Sequence, residues 1–255
     1  LKGSGPSMRF IDFHVHIDHY PDPIRVANEY ETHKIYALFV TNLPELFEKH
    51  YAKFAAYKFV KLAIGYHPDL TGEFPFNRDL FDKLVQTTSY IGEVGIDISS
   101  DTKELINKQV ENFEFITQPK YNFGKIYSIH STGGEDEVLE ILKKNKVKQA
   151  VFHWYSGKLS TLEKIIECNY LFSINHSMLS SKKGQKIISL IPKDLMLFET
   201  DGPFARYNKQ LVTPKNIQEI YQKFNECISN FDQHVFRNFK RMLIERDLYK
   251  INSKN

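Results

Sequence analysis

The sequence predicts an α/β protein, a (β/α)8 barrel with a C-terminal closing helix, on three observations. Eight short apolar runs alternate with amphipathic stretches, the pattern of repeated strand–helix units around a parallel sheet. The chain has 255 residues, close to the ~250 typical of one such barrel. Side chains able to hold a metal end the first, fourth, fifth, sixth and eighth runs. A doubly wound open sheet gathers ligands at one switch point from a few strands. First and last strands are neighbours only if the sheet closes, so the barrel is the better account.

The first run, residues 10–16 (FIDFHVH), is apolar around its histidines, as a strand buried on both faces requires. A helical stretch over 23–33 leads to the second run, 36–42, and another over 44–57 leads to the third, 59–66, which Pro68 stops. Residues 78–87 precede the fourth run, 90–97 (YIGEVGID). In 103–118, Leu105, Ile106, Val110, Phe113 and Ile116 lie on one helical face, and Pro119 ends it. The fifth run is 125–131. Segment 134–145 sets Val138, Leu139, Ile141 and Leu142 on one face, with Lys143, Lys144 and Lys146 near its end, where the helix dipole favours cations. Runs 149–155, 170–176 and 195–201 follow, separated by helical stretches at 159–168 and 181–191. After a stretch at 214–228, the tail beyond 230 spaces Val235, Phe236, Phe239, Met242 and Leu243 as a helix that closes the barrel.

Hydrophobic residues make up 42% of the chain and charged residues 25%, which excludes wholesale disorder. A formal charge of +3 permits a nucleic-acid substrate without arguing for one. Cys168 and Cys227 are the only cysteines and both fall in predicted helices. That excludes a disulfide scaffold and fits a reducing cytoplasm. No apolar stretch reaches the ~18 residues that span a bilayer. Residues 1–7, LKGSGPS, read as a cloning remnant rather than a signal peptide, and residues 8–255 as a single domain.

The candidate site is built from strand ends. His14 and His16 are two apart in a strand and point the same way, so both imidazoles can grip one ion. Asp12 shares that face, as an acceptor for a ligand histidine or as a cap. Glu93 is a carboxylate in an apolar strand and needs a partner. A cation is favoured over a buried salt bridge, and two carboxylate oxygens can bridge two ions ~3.5–4 Å apart. Asp97 should share its face nearer the rim. His130 and His153 each close a run. Asp201 is expected to be both a metal ligand and the acceptor of a proton from attacking water. Glu199, two residues earlier, is either a buried anchor or a substrate contact. His67 either donates to a substrate oxygen or makes a turn hydrogen bond. Tyr66, Trp154, Tyr155 and Phe204 are candidates to stack on bases, and His176 is a weaker substrate-contact candidate. No chemistry is expected from His19, His33, His50 or His234. With no thiolate in the set, Zn²⁺, Mn²⁺, Mg²⁺ and Co²⁺ all suit it.

The words FHVH, GYHP, GEVGID, SIHS, HWYSG and ETDGP occur in the order and spacing of the TatD family of metal-dependent deoxyribonucleases. The chain resembles that family from Phe10 to about Arg206. The wording FHVHIDHYPDP, HWYSG, FSINHSML and ETDGPFA is most similar to the QatD branch, from the bacterial Qat anti-phage system. The resemblance implies an amidohydrolase-like TIM barrel and two divalent metal ions held by His14, His16, Glu93, His130, His153 and Asp201. It also implies Glu93 between the ions, the HxH pair and Asp201 around one, His130 and His153 around the other, and His67 as a catalytic or substrate contact. The implied partners are DNA, as ends or single strands, and other Qat proteins. Two departures stand out: Thr132 where the family word has Arg, and Gly202 where it has Ser.

Three functions follow as expectations. The first is a deoxyribonuclease working by metal-activated water. The second is an amide or small phosphoester hydrolase on the same scaffold. The third is a non-catalytic DNA-binding subunit of a defence complex.

Overall fold

A computed structural model describes residues 9–99 and 102–252. Residues 1–7, read above as a cloning remnant, lie outside the described residues.

The strands are β1 (Ile11–Val15), β2 (Tyr36–Phe39), β3 (Val60–Leu62), β4 (Ile64–Tyr66), β5 (Tyr90–Gly95), β6 (Ile126–His130), β7 (Ala150–His153), β8 (Leu171–Ile174) and β9 (Met196–Phe198). All pair in parallel, in the orders β1-β2-β3 and β4-β5-β6-β7-β8-β9. The third sequence run is thus split at Ala63, whose N–H still donates to Phe39 O at 2.8 Å. β3 serves β2 and β4 serves β5, so eight runs make one barrel.

The seam between β1 and β9 closes just past the end of β9. Val15 bridges Gly202 in parallel, His16 N donates to Gly202 O (2.8 Å) and Asp201 N to His14 O (3.0 Å). Below this, Asp12 Oδ1 accepts from Thr200 N (2.8 Å), while its Oδ2 accepts from Thr200 Oγ1 (2.7 Å) and Tyr30 OH (2.6 Å). Asp12 therefore fastens the seam and does not orient a ligand histidine. Burial outweighs these hydrogen bonds and pushes its carboxyl up to about 7.

The helices that cover the sheet are α1 (Pro23–His33), α2 (Pro44–Phe54), α3 (Arg78–Leu84), α4 (Lys103–Ile116), α5 (Glu135–Lys144), α6 (Leu159–Glu167), α8 (Lys182–Leu190) and α9 (Pro214–Cys227). They bury the apolar faces read from the sequence, such as Val138, Leu139, Ile141 and Leu142 on α5. A short helix α7 (His176–Leu179) and a hairpin β10 (Arg206–Tyr207) and β11 (Gln210–Leu211) lie in stretches with no predicted element. The closing helix α10 (Phe231–Asn252) packs beneath the barrel. Asn238 Nδ2 donates to Met196 O at the start of β9 (2.8 Å), Gln149 Nε2 donates to Met242 O (2.8 Å), and Phe239 meets Phe13.

Gly65 lets β2 and β5 approach across β4. A Cβ there would lie 2.0 Å from Thr41 O and 2.4 Å from Glu93 N. Gly65→Ala should cost about 3 kcal/mol or more, because backbone rather than a flexible side chain must move. Thermal unfolding of the purified variant checks this; an unchanged midpoint would refute the close approach.

Candidate metal centre

Strand order carries the chemistry to one rim. His14 (β1), Glu93 (β5), His130 (β6) and His153 (β7) sit in their strands. His16, His67 and Asp201 lie just past β1, β4 and β9. Glu93 is the common neighbour, at 1% exposure. Its Oε2 lies 3.3 Å from His14 Nε2 and 3.1 Å from His16 Nε2; those two nitrogens are 3.2 Å apart, and Asp201 Oδ1 is 3.8 and 3.5 Å from them. Its Oε1 faces His130 Nδ1 (2.8 Å), His67 Nε2 (3.3 Å) and His153 Nε2 (3.4 Å).

This donor set fits a divalent cation. Donors ~2.0–2.2 Å from one tetrahedral ion sit ~3.3 Å apart, which is the spacing observed. Three groups, His14–His16–Asp201, His14–Glu93–His153 and His67–Glu93–His130, each hold donor atoms within 4.8 Å of one another. Glu93 Oε2 and His16 Nδ1 are buried with no hydrogen-bond partner among the described residues, and a buried carboxylate oxygen left so is costly.

An outer layer holds the imidazoles. Ser128 Oγ lies 2.8 Å from His14 Nδ1, Glu199 Oε1 3.0 Å from His153 Nδ1, and Asp97 Oδ2 2.7 Å from His130 Nε2. Each ring nitrogen facing away from Glu93 thus has a partner, and the other nitrogen is directed inward. Asp97 was read from the sequence only as a neighbour of Glu93; its hold on His130 requires two strands to be seen side by side.

Electrostatics follow from burial and neighbours. Burial and the stacked His153 ring, 3.8 Å away, drive His14 down to about 4. Burial also disfavours charge on His130 and His153. The Asp97 and Glu93 carboxylates overcome it at His130, which rises to about 9, and Glu199 and Glu93 overcome it at His153, which rises to about 10. Burial would raise Glu93, but His67, His14, His153 and His130 hold it well below its usual range.

Several expectations are corrected. Glu199 is fully buried beneath His153, with Ser173 Oγ and Asn175 Nδ2 (2.9 Å) as its other donors, so it cannot touch a substrate. Tyr155 is 1% exposed, gives its hydroxyl to Lys158 O (2.7 Å) and packs on Phe152 and Phe172, away from the cavity. Tyr66 is buried and donates to Phe74 O (2.6 Å). His176 faces Arg206 O (2.9 Å) outside the cavity. Trp154, Phe204 and His67 do line it, in a volume of about 480 Å³. At Gly202, a serine Cβ would lie 2.0 Å from Tyr20 OH, so Tyr20 holds that space here.

Barrel and donor set together define an amidohydrolase-like (β/α)8 protein with a metal-binding rim. The profile described as TatD related DNase matches residues 11–243, and the chain belongs to that family. It is 25% identical over 169 residues to the uncharacterized metal-dependent hydrolase MJ1582 of Methanocaldococcus jannaschii, covering 64% of this chain and 66% of that protein. It is 23% identical over 153 residues to the human deoxyribonuclease TATDN3, covering 56% and 52%. The chain spans about half to two thirds of the length of the curated relatives it matches. The fold is that of the Escherichia coli TatD homolog YJJV, with TM-score 0.75, 19% identity, and 95% and 98% of the two chains covered.

Metal affinity should rise with pH. In the metal-free protein His130 and His153 keep their protons up to about 9 and about 10, and a bound ion must displace protons. Calorimetric titration with Mn²⁺ or Zn²⁺ should show tighter binding from pH 6 to pH 9 and an enthalpy that varies with the buffer. A pH-independent affinity would contradict this. Glu199→Gln should weaken binding by ~10–100-fold through His153 alone.

Proposed function

We propose that the protein is a divalent-metal-dependent phosphodiesterase that hydrolyses DNA at ends or in single strands. The observation that carries this reading is the division of labour at Glu93. One oxygen faces His14 and His16, beside Asp201, and the other faces His67, His130 and His153. Such a carboxylate suits a pair of ions ~3.5–4 Å apart, the separation two-metal phosphodiesterases use. When bound, the ions supply Lewis-acid charge to phosphoryl oxygens and acidify water.

The chain's own residues do the remaining work. Burial raises the Asp201 carboxyl, partly offset by His153 and His16, to about 7. A group so placed takes a proton from the attacking water near neutral pH. Asp201 is held at the rim by a left-handed backbone, φ 50°. His67, its side chain 14% exposed, faces the cavity and donates to a non-bridging oxygen. Trp154 and Phe204 flank the mouth, where flat rings stack on bases of any sequence. The concave rim admits a strand end or a flexible single strand more readily than mid-duplex.

Support for DNA comes from the family's description and from relatives named deoxyribonucleases. The FHVHIDHYPDP and FSINHSML wording supports a role of the QatD type in anti-phage defence, with other Qat proteins as partners. Among the described residues no helix is long and apolar enough to cross a membrane; with two free cysteines, the reading places the protein in a reducing cytoplasm.

With Mn²⁺ present, a labelled single-stranded oligonucleotide should be shortened by the wild type. Glu93→Ala should abolish the reaction, and Asp201→Asn should lower kcat by ~10²–10⁴-fold. Metal-dependent cleavage that survives Glu93→Ala rejects this site. Intact DNA alongside hydrolysis of small amides or phosphoesters would select the second expectation instead.

A further inference from the structure

The metal cavity is short of fixed positive charge. Among the described residues lining it there is no lysine or arginine. A DNA strand carries a charge on every phosphate, and those beyond the ions need cations elsewhere.

A second groove, of about 370–650 Å³ class and measuring about 650 Å³ itself, adjoins the cavity and shares Thr132 and Ser156 with it. Its edges carry Lys158, Lys183 and Lys186. Lys158 is paired with Asp136 at 2.8 Å. Lys183 and Lys186 are exposed and have no ion pair among the described residues. Both sit at the start of α8, which has no acidic residue in its first turn. Cations there oppose the helix dipole, and a bound anion would relieve both effects. Three residues apart on a helix, their Cβ atoms are ~5–6 Å from each other, so two long side chains can converge on one phosphate.

Gly157 and Glu135 shape the near wall. Glu135 Oε1 accepts from Lys158 N at 2.9 Å, and a Cβ on Gly157 would lie 2.6 Å from Glu135 Cδ. This contact fixes the backbone from which Lys158 projects.

We propose that this groove is the exit path of a single strand, with Lys183 and Lys186 binding a phosphate beyond the one being cleaved. The inference rests on the nuclease reading and deepens it: the substrate is a strand of several nucleotides, not a small diester.

The test compares wild type, Lys183→Gln/Lys186→Gln, and a charge-matched control on α9, Lys215→Gln/Lys223→Gln. The readout is kcat/KM for a 12-nucleotide single strand divided by kcat/KM for bis(p-nitrophenyl) phosphate, each with Mn²⁺ over a range of salt. The groove variant should lose about tenfold in that ratio, and its log–log salt slope for the strand should be shallower by about 1.4, at ~0.7 per lost phosphate contact. The control should match wild type. A groove variant with the wild-type ratio and slope, or a control that falls equally, overturns the path. A wild type that hydrolyses the small diester but leaves the strand intact overturns the nuclease reading itself, and the path with it.

Discussion

Everything at the rim is arranged around one buried carboxylate. Glu93 lies at 1% exposure in a strand whose neighbours are apolar. An unpaired charge there would cost several kcal/mol. Five imidazoles from three separate regions of the chain surround it, and no two-strand arrangement could supply them. Barrel closure is what makes this possible. His14 and His16 arrive from one side of the seam and Asp201 from the other, and Val15, Gly202, Asp12 and Thr200 hold the two sides in register.

The second constraint is orientation. A neutral imidazole offers one lone pair, and which nitrogen carries it depends on what the other nitrogen meets. Ser128, Asp97 and Glu199 each meet the outward nitrogen of one ring. Their strands and loops differ, so the inner cluster inherits its geometry from the whole barrel. The buried polar groups at this end form one connected network, and its members depend on one another.

The barrel and most of the cluster were legible because strands buried on both faces betray any polar residue they carry. The predicted run 90–97 around Glu93 and the observed β5 differ only at the C-terminal end. What was not legible depends on local breaks in alternation. Trp154 has φ 37° and Asp201 φ 50°, both left-handed, so counting by twos fails across them. Tyr155 therefore leaves the face of His153 and enters the helix layer, and Glu199 stays beneath the site while Asp201 turns to the rim. Asp97 and Ser128 act on histidines of adjoining or distant strands, and register is invisible in a single sequence. The α7 helix and the hairpin have four and two-residue elements, too short for a periodic signal.

The most direct measurement is anomalous diffraction from crystals soaked in Mn²⁺ or Zn²⁺. Two peaks should flank Glu93, one among His14, His16 and Asp201 and the other towards His130 and His153. Density confined to surface carboxylates, with Glu93 left without an ion on either oxygen, would contradict the account at its root.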